Sequence, residues 1–282
     1  MTTTHGSAER RMTAFLDGID SPTIANPIHS TEVAKQYGYR AALVGGVTVY
    51  GWATPTILDA RGERWLDGGW IEVAFRHPTY PGDELTISVA PDGDGASMLR
   101  MTKPDGSDEV TGTLGLGEAP WLGEFRSPQR RVAEPRPERL PQLTMAIAPS
   151  GADIRPMAVS ASADEMRTYA LEKQRSADPR FVGEQPLIHP GWIAARMTPL
   201  LHHSYDYGPS IHSRSHIQHL APAESGQTVT VAGHFVETYE RKGHQYAVVD
   251  GVLLAEDGRE LARLRHTTIF NVAKRPASVR PE

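Results

Sequence analysis

Histidine is the side chain whose charge changes near neutral pH, so its placement marks where proton transfer could occur. The chain carries 12 histidines. One closes the tetrapeptide Asn26-Pro27-Ile28-His29, a second stands in Ile188-His189-Pro190-Gly191, and five more crowd together as His202, His203, His212, His216 and His219. On the residues alone, His29 is either a proton-transfer group or a structural histidine in an Asn-Pro turn. Asn26 in turn either orients it or caps the next segment. The crowded histidines suggest a metal, but Ile211–His219 alternates like a strand. His212 and His216 would then share a face about 13 Å apart, with His219 on the other face. That pattern matches no recognised ligand spacing, so ordinary strand positions are expected and no metal site. Other chemistries are missing. There is no cysteine, which excludes disulfides, thiolate metal sites and a thiol nucleophile. Gly112-Thr113-Leu114-Gly115-Leu116-Gly117 lacks the P-loop lysine and the dinucleotide spacing, and no Gly-x-Ser-x-Gly elbow occurs.

The charge balance narrows the partners. With 29 Lys+Arg against 34 Asp+Glu, the net charge is -5, without the basic surplus a nucleic-acid binder needs. The segment Met1–Arg11 has no apolar stretch of the secretory kind, and no later run approaches the ~20 apolar residues of a membrane span. A cytoplasmic protein without a membrane partner is the expectation. At 282 residues, 39% of them hydrophobic, the chain can bury one large core or two of about 140 residues each.

Two related halves are legible. Val44–Leu58 overlays Ile188–His202 at an offset of 144, which also brings Pro78 onto Pro222, Gly82 onto Gly226 and Leu85-Thr86-Ile87 onto Val229-Thr230-Val231. Each half reads as an apolar helix followed by alternating strands. In the first half Val44, Val47, Tyr50, Thr54 and Ile57 recur at helical spacing, and small residues on the other faces predict burial all round. Strands are expected at Trp70–Phe75, Glu84–Val89 and Val110–Leu116, and in the second half at Ser210–His219, Gln227–Glu240, His244–Ala255 and Glu260–Val272, with turns at Lys242-Gly243 and Asp257-Gly258. Pro55 and Pro199 would bend or end the two helices. Between the halves, residues 118–160 hold seven prolines and read as a loop-like linker. The expected units are therefore 1–117, the linker 118–160, 161–273, and a frayed tail at 274–282.

Asn26-Pro27-Ile28-His29, with Glu32–Tyr39, the Val44–Leu58 helix and the strand entry Phe75-Arg76-His77-Pro78-Thr79-Tyr80-Pro81-Gly82-Asp83, resembles the motif of the MaoC-like (R)-specific enoyl-CoA hydratase and dehydratase family. The resemblance implies an α+β double hotdog, in which each repeat is a curved antiparallel sheet around a central helix. It also implies reversible addition of water to an enoyl thioester on coenzyme A or an acyl carrier, with no metal or redox cofactor, and a homodimer of double hotdogs. The family motif is Asp-x-Asn-Pro-(Ile/Leu)-His, and addition of water needs one group to take a proton and another to supply one. His29 and Asn26 have counterparts in it, whereas Ile24 stands at the aspartate's position and Gly45 where a histidine is common. By resemblance, backbone amides at the helix start around Gly45 and Gly46 hold the thioester oxygen, and Tyr50 and His212 join the substrate contacts. Helical spacing by itself makes Tyr50 and Trp52 core residues. At the 144-residue offset Gly45 corresponds to His189, which would serve a cavity shared with His29, and Glu172 or Glu184 would supply the missing carboxylate. The altered acid/base pair leaves a non-catalytic thioester-binding subunit and a thioesterase on the same scaffold as alternatives.

Overall fold

Alternating apolar residues build the sheet. In a computed structural model, which describes residues 6–274, ten strands form one antiparallel sheet: β1 (Ala8–Thr13), β2 (Gly69–Phe75), β3 (Glu84–Pro91), β4 (Ser97–Thr102), β5 (Asp108–Leu116), β6 (Ala152–Ala161), β7 (Ile211–His219), β8 (Gln227–Arg241), β9 (His244–Leu254) and β10 (Glu260–Asn271). Their spatial order is β1-β3-β4-β5-β2-β7-β10-β9-β8-β6. The first five strands and the last five are thus two copies of one arrangement, joined where β2 pairs with β7, Ile71 opposite Ile217. The 144-residue offset falls on this symmetry, since it relates β3 to β8. Strands β1, β4 and β6 are additions to the sequence reading. Residues 1–5 and the tail from 275 onward lie outside the described residues.

Seven α-helices accompany the sheet among the described residues: α1 (Thr31–Gln36), α2 (Gly46–Arg61), α3 (Trp65–Gly68), α4 (Ala163–Thr168), α5 (Pro179–Val182), α6 (Pro190–Ala194) and α7 (Met197–Ser204). Helix α2 is buried along almost its whole length, as its lack of a polar face requires. Pro55 lies inside it without ending it; the helix runs on to Arg61 and stops at Gly62, whose φ of 75° takes the left-handed turn. The corresponding helix of the second half is broken into α6 and α7. Where α2 crosses α6 the backbones nearly touch. A Cβ on Gly191 would lie 3.1 Å from Gly51 Cα and 2.8 Å from the Tyr169 hydroxyl, so only glycine allows this approach.

The proline-rich stretch differs from the loop expected of it. Its last residues are β6, an edge strand that accommodates Pro156 where its register with β8 shifts. The preceding residues form a strap across the outer face of the sheet. Trp121 is buried there, and the backbone N–H groups of Ala119, Arg126, Gln129 and Arg130 donate to the side chains of Gln218, Asp250 and Asp153 at 2.7–2.8 Å. Proline cannot supply ladder hydrogen bonds, so side-chain acceptors hold this segment in place of a strand.

Candidate active site

Pro27 starts a single 3-10 turn, Pro27–His29, that delivers the histidine. The Asn26 side chain anchors the turn across the two halves: its Nδ2 donates to the Ser210 carbonyl at 2.8 Å and its Oδ1 accepts from the Ser210 N–H at 3.1 Å. The same Nδ2 lies 3.3 Å from His29 Nε2. On the other side of the ring, Nδ1 sits 2.7 Å from the Leu43 carbonyl. A carbonyl only accepts, so Nδ1 carries the proton and the lone pair lies on Nε2, where the long contact from the Asn26 amide must yield before a water proton can be taken. Burial holds the imidazole below the usual histidine range, opposed by the Leu43 carbonyl and the charge of Asp17. His29 is therefore a neutral base with a fixed tautomer.

The ring lines a cavity of about 370 Å³ at the start of α2, walled by Val44–Val47, Phe75, Ser210–Ser213 and Thr268. Gly45 precedes α2 without a side-chain cap. The N–H groups of Gly46 and Val47 have no acceptor among the described residues, while those of Thr48 and Val49 bond to the Gly45 carbonyl. Free amides, the helix dipole and a basic imidazole thus meet in one pocket. At the pseudo-equivalent start of α6 the chain has closed the same feature: Pro190 has no N–H, and the Gly191 N–H donates to His189 Nδ1 at 3.0 Å.

The expected site residues divide accordingly. Asn26, His29, Gly45, Gly46 and His212 line the cavity together. His212 packs its ring 4.9 Å from Phe75 and places Nε2 2.8 Å from Ser215 Oγ. His189 is not part of this cavity. It lines a second one of about 810 Å³ beside Gly51, Gln174 and Arg175, and burial pushes it down to about 3 against the field of Asp178. Tyr50 is buried in the core and lines neither cavity. Glu172 and Glu184 are exposed, and among the described residues no aspartate or glutamate lines the His29 cavity. Ser210 and the Leu43 carbonyl were missed by the sequence reading. Neither has a local signal, because Ser210 is 184 residues from Asn26.

Among the described residues no group of three or more histidine, cysteine or acidic side chains is placed to hold a metal ion. No helix there is long and apolar enough to cross a membrane. The Asn26 clamp has a measurable consequence. Asn26→Ala removes the donor to His29 and all three bonds to Ser210, leaving a part-buried N–H and C=O without partners. A stability loss of about 1–3 kcal/mol is expected, read as a lower denaturant midpoint, and an unchanged midpoint would show that the clamp is not holding the halves.

No family model matches the sequence, and no curated protein matches it. Solved structures do match in shape. A MaoC-like dehydratase superimposes with a TM-score of 0.57 at 14% identity, covering 94% of this chain and 98% of that one. The Mycobacterium tuberculosis protein RV0216, described as a double hotdog fold, gives 0.54 at 15% identity over 84% of each chain. An isomerase-inactive variant of GphF DH1 gives 0.52 at 15% identity, over 99% of this chain and 96% of that one. With two five-stranded copies joined into one antiparallel sheet and these likenesses in shape, the chain has the double hotdog fold described for RV0216 and a shape similar to that of a MaoC-like dehydratase.

Proposed function

We propose that the protein adds water reversibly to an enoyl thioester, with the acyl group carried on coenzyme A or an acyl carrier in the cytoplasm. The observation that carries this reading is the meeting of a neutral His29, lone pair on Nε2, with the unpartnered amides of Gly46 and Val47 in one cavity. A thioester carbonyl aimed at the helix start would be polarised by those two N–H groups, drawing electron density from the conjugated double bond. Nε2 takes a proton from water as its oxygen bonds to the β-carbon, and the electron pair of the double bond moves toward the thioester oxygen as an enolate. The imidazolium then returns its proton to the α-carbon, which restores the carbonyl and the neutral ring. Asn26 fixes the ring and Leu43 fixes the tautomer. Dehydration is the same path reversed.

The absence of a carboxylate from the cavity wall favours a second reading, a thioester-binding subunit without turnover. One experiment separates the two. Incubation with a crotonyl thioester should abolish the absorbance of the conjugated double bond without releasing thiol. Thiol release would instead identify a thioesterase, and neither change, with a ligand-dependent rise in melting temperature, would identify a binder.

A further inference from the structure

Position 24 is isoleucine, and the cavity wall holds no acid. A histidine that takes a proton from water becomes a cation in a half-buried pocket, where a nearby negative charge is worth most. The candidates at 172 and 184 face solvent. The structure brings a different carboxylate to this corner, from a segment upstream of the motif.

That segment packs directly on the side chain at position 24. A Cβ built on Gly18 would lie 3.5 Å from Ile24 Cδ1, so the residue next to Asp17 covers the place where the motif's acid would stand. Asp17 Oδ2 accepts a hydrogen bond from Thr48 Oγ1 at 2.8 Å. Thr48 is buried in the first turn of α2, next to Gly46 and Val47, which line the cavity and have free amides. A Cβ built on Gly45 would lie 3.6 Å from Thr48 Oγ1 and 3.7 and 3.9 Å from His29 Cε1 and Nε2. The hydroxyl held by Asp17 and the imidazole therefore lie on the same side of Gly45, both within ordinary van der Waals reach of one point. The Asp17 carbonyl also accepts from Lys173 Nζ in the second half, which pins the segment. Asp17 is also the charged group whose field favours the protonated form of His29. The other titratable groups on the cavity wall are Tyr39, Arg76, His77, His212 and Tyr246.

We propose that Asp17 is the displaced carboxylate partner of His29, a positioning residue that acts through Thr48 on the first turn of α2 and through its charge on the imidazolium formed during turnover. The inference rests on the hydration reading for its catalytic part, while the coupling of Asp17 to His29 can be read without turnover.

The test uses the full chain and crotonyl-CoA. Asp17→Asn keeps the size of the side chain and removes its charge. It should lower kcat by about 10²-fold with KM changed less than about twofold, in keeping with the loss of a carboxylate charge that stabilises the imidazolium during turnover. Placing the acid in the motif position, Ile24→Asp in the Asp17→Asn background, should recover at least about tenfold of the loss. NMR titration of the His29 ring between pH 5.5 and 8 supplies the second readout. Its protonation should shift to lower pH in Asp17→Asn and return upward when Ile24→Asp is added. Unchanged kcat in Asp17→Asn, a loss confined to KM, or no recovery with Ile24→Asp each overturns the catalytic part, and an unmoved His29 titration overturns the coupling itself. Wild-type protein that fails to hydrate the thioester defeats the hydration reading and the catalytic part with it, while the ring titration still decides whether Asp17 and His29 are coupled.

Discussion

His29→Gln is expected to lower kcat/KM for hydration of a crotonyl thioester by about 10²–10⁴-fold, the usual share of a general base. An amide has no site of comparable basicity to accept the proton, yet glutamine retains a polar side chain that can reach toward the Leu43 carbonyl. The loss should therefore fall on turnover, with the melting temperature close to that of the parent. The physical basis is the fixed tautomer. Because Nδ1 is committed to Leu43 at 2.7 Å, Nε2 is the atom left to accept a proton, and it lines the same cavity as the free amides of α2. A His29→Gln protein that hydrates the thioester at the parental rate would show that the proton goes elsewhere, and would remove the mechanism.

Mild acid should destabilise the protein severely. Burial holds His189 down to about 3 and His219 to about 4, and His266, fully buried beside His212, lies well below the ordinary histidine value. His212 and His216 are each pushed down to about 4, mainly by burial. Several of these rings lack full hydrogen-bond partners: neither nitrogen of His266 or His216 has one, nor does Nε2 of His219. The folded state therefore keeps these rings neutral where the unfolded chain would protonate them. As pH falls through about 6.5 the unfolded chain binds more protons, and stability drops until the folded-state values near 4 are reached. With a slope that rises to about 1.4 kcal/mol per pH unit for each ring, the three fully buried ones alone remove about 5 kcal/mol between pH 6.5 and 5. That is comparable to the whole stability of a typical domain. Urea midpoints at pH 7.5 and 5.5 test this directly, and His219→Phe should flatten part of the dependence. Midpoints that do not move with pH would mean that these rings are not held neutral by the fold.

The acid sensitivity and the site have a common origin in β7, the strand that joins the two halves. Its strand character was readable, but the register with β10 shifts between Thr267 and Thr268, so His212 and His216 do not share the face that strict alternation predicts. His212 turns toward the cavity and packs its ring 4.3 Å from that of His266 on the neighbouring strand β10. His216 sits beneath Trp121 of the strap, their ring centres 5.6 Å apart, and His219 lies edge-on to Trp65 at 4.8 Å. The two histidines expected to share a face are therefore parted by the irregularity in β7, and each of the three acquires its own surroundings once the sheet, the strap and α3 close around them.

Local spacing by itself determined the tetrapeptide turn that presents His29, the all-round apolar character of α2, the main strands and the repeat at 144 residues. Each depends on neighbours within one turn, one strand or one period, which a linear pattern records. Tertiary structure alone decided that Asn26 grips Ser210 184 residues away and that Asp17 meets Thr48 across 31. It also decided that His189 caps its own helix in a separate cavity. Those pairings arise from sheet closure and helix crossing, which join residues by shape and hydrogen-bond demand with no periodicity along the chain to announce them.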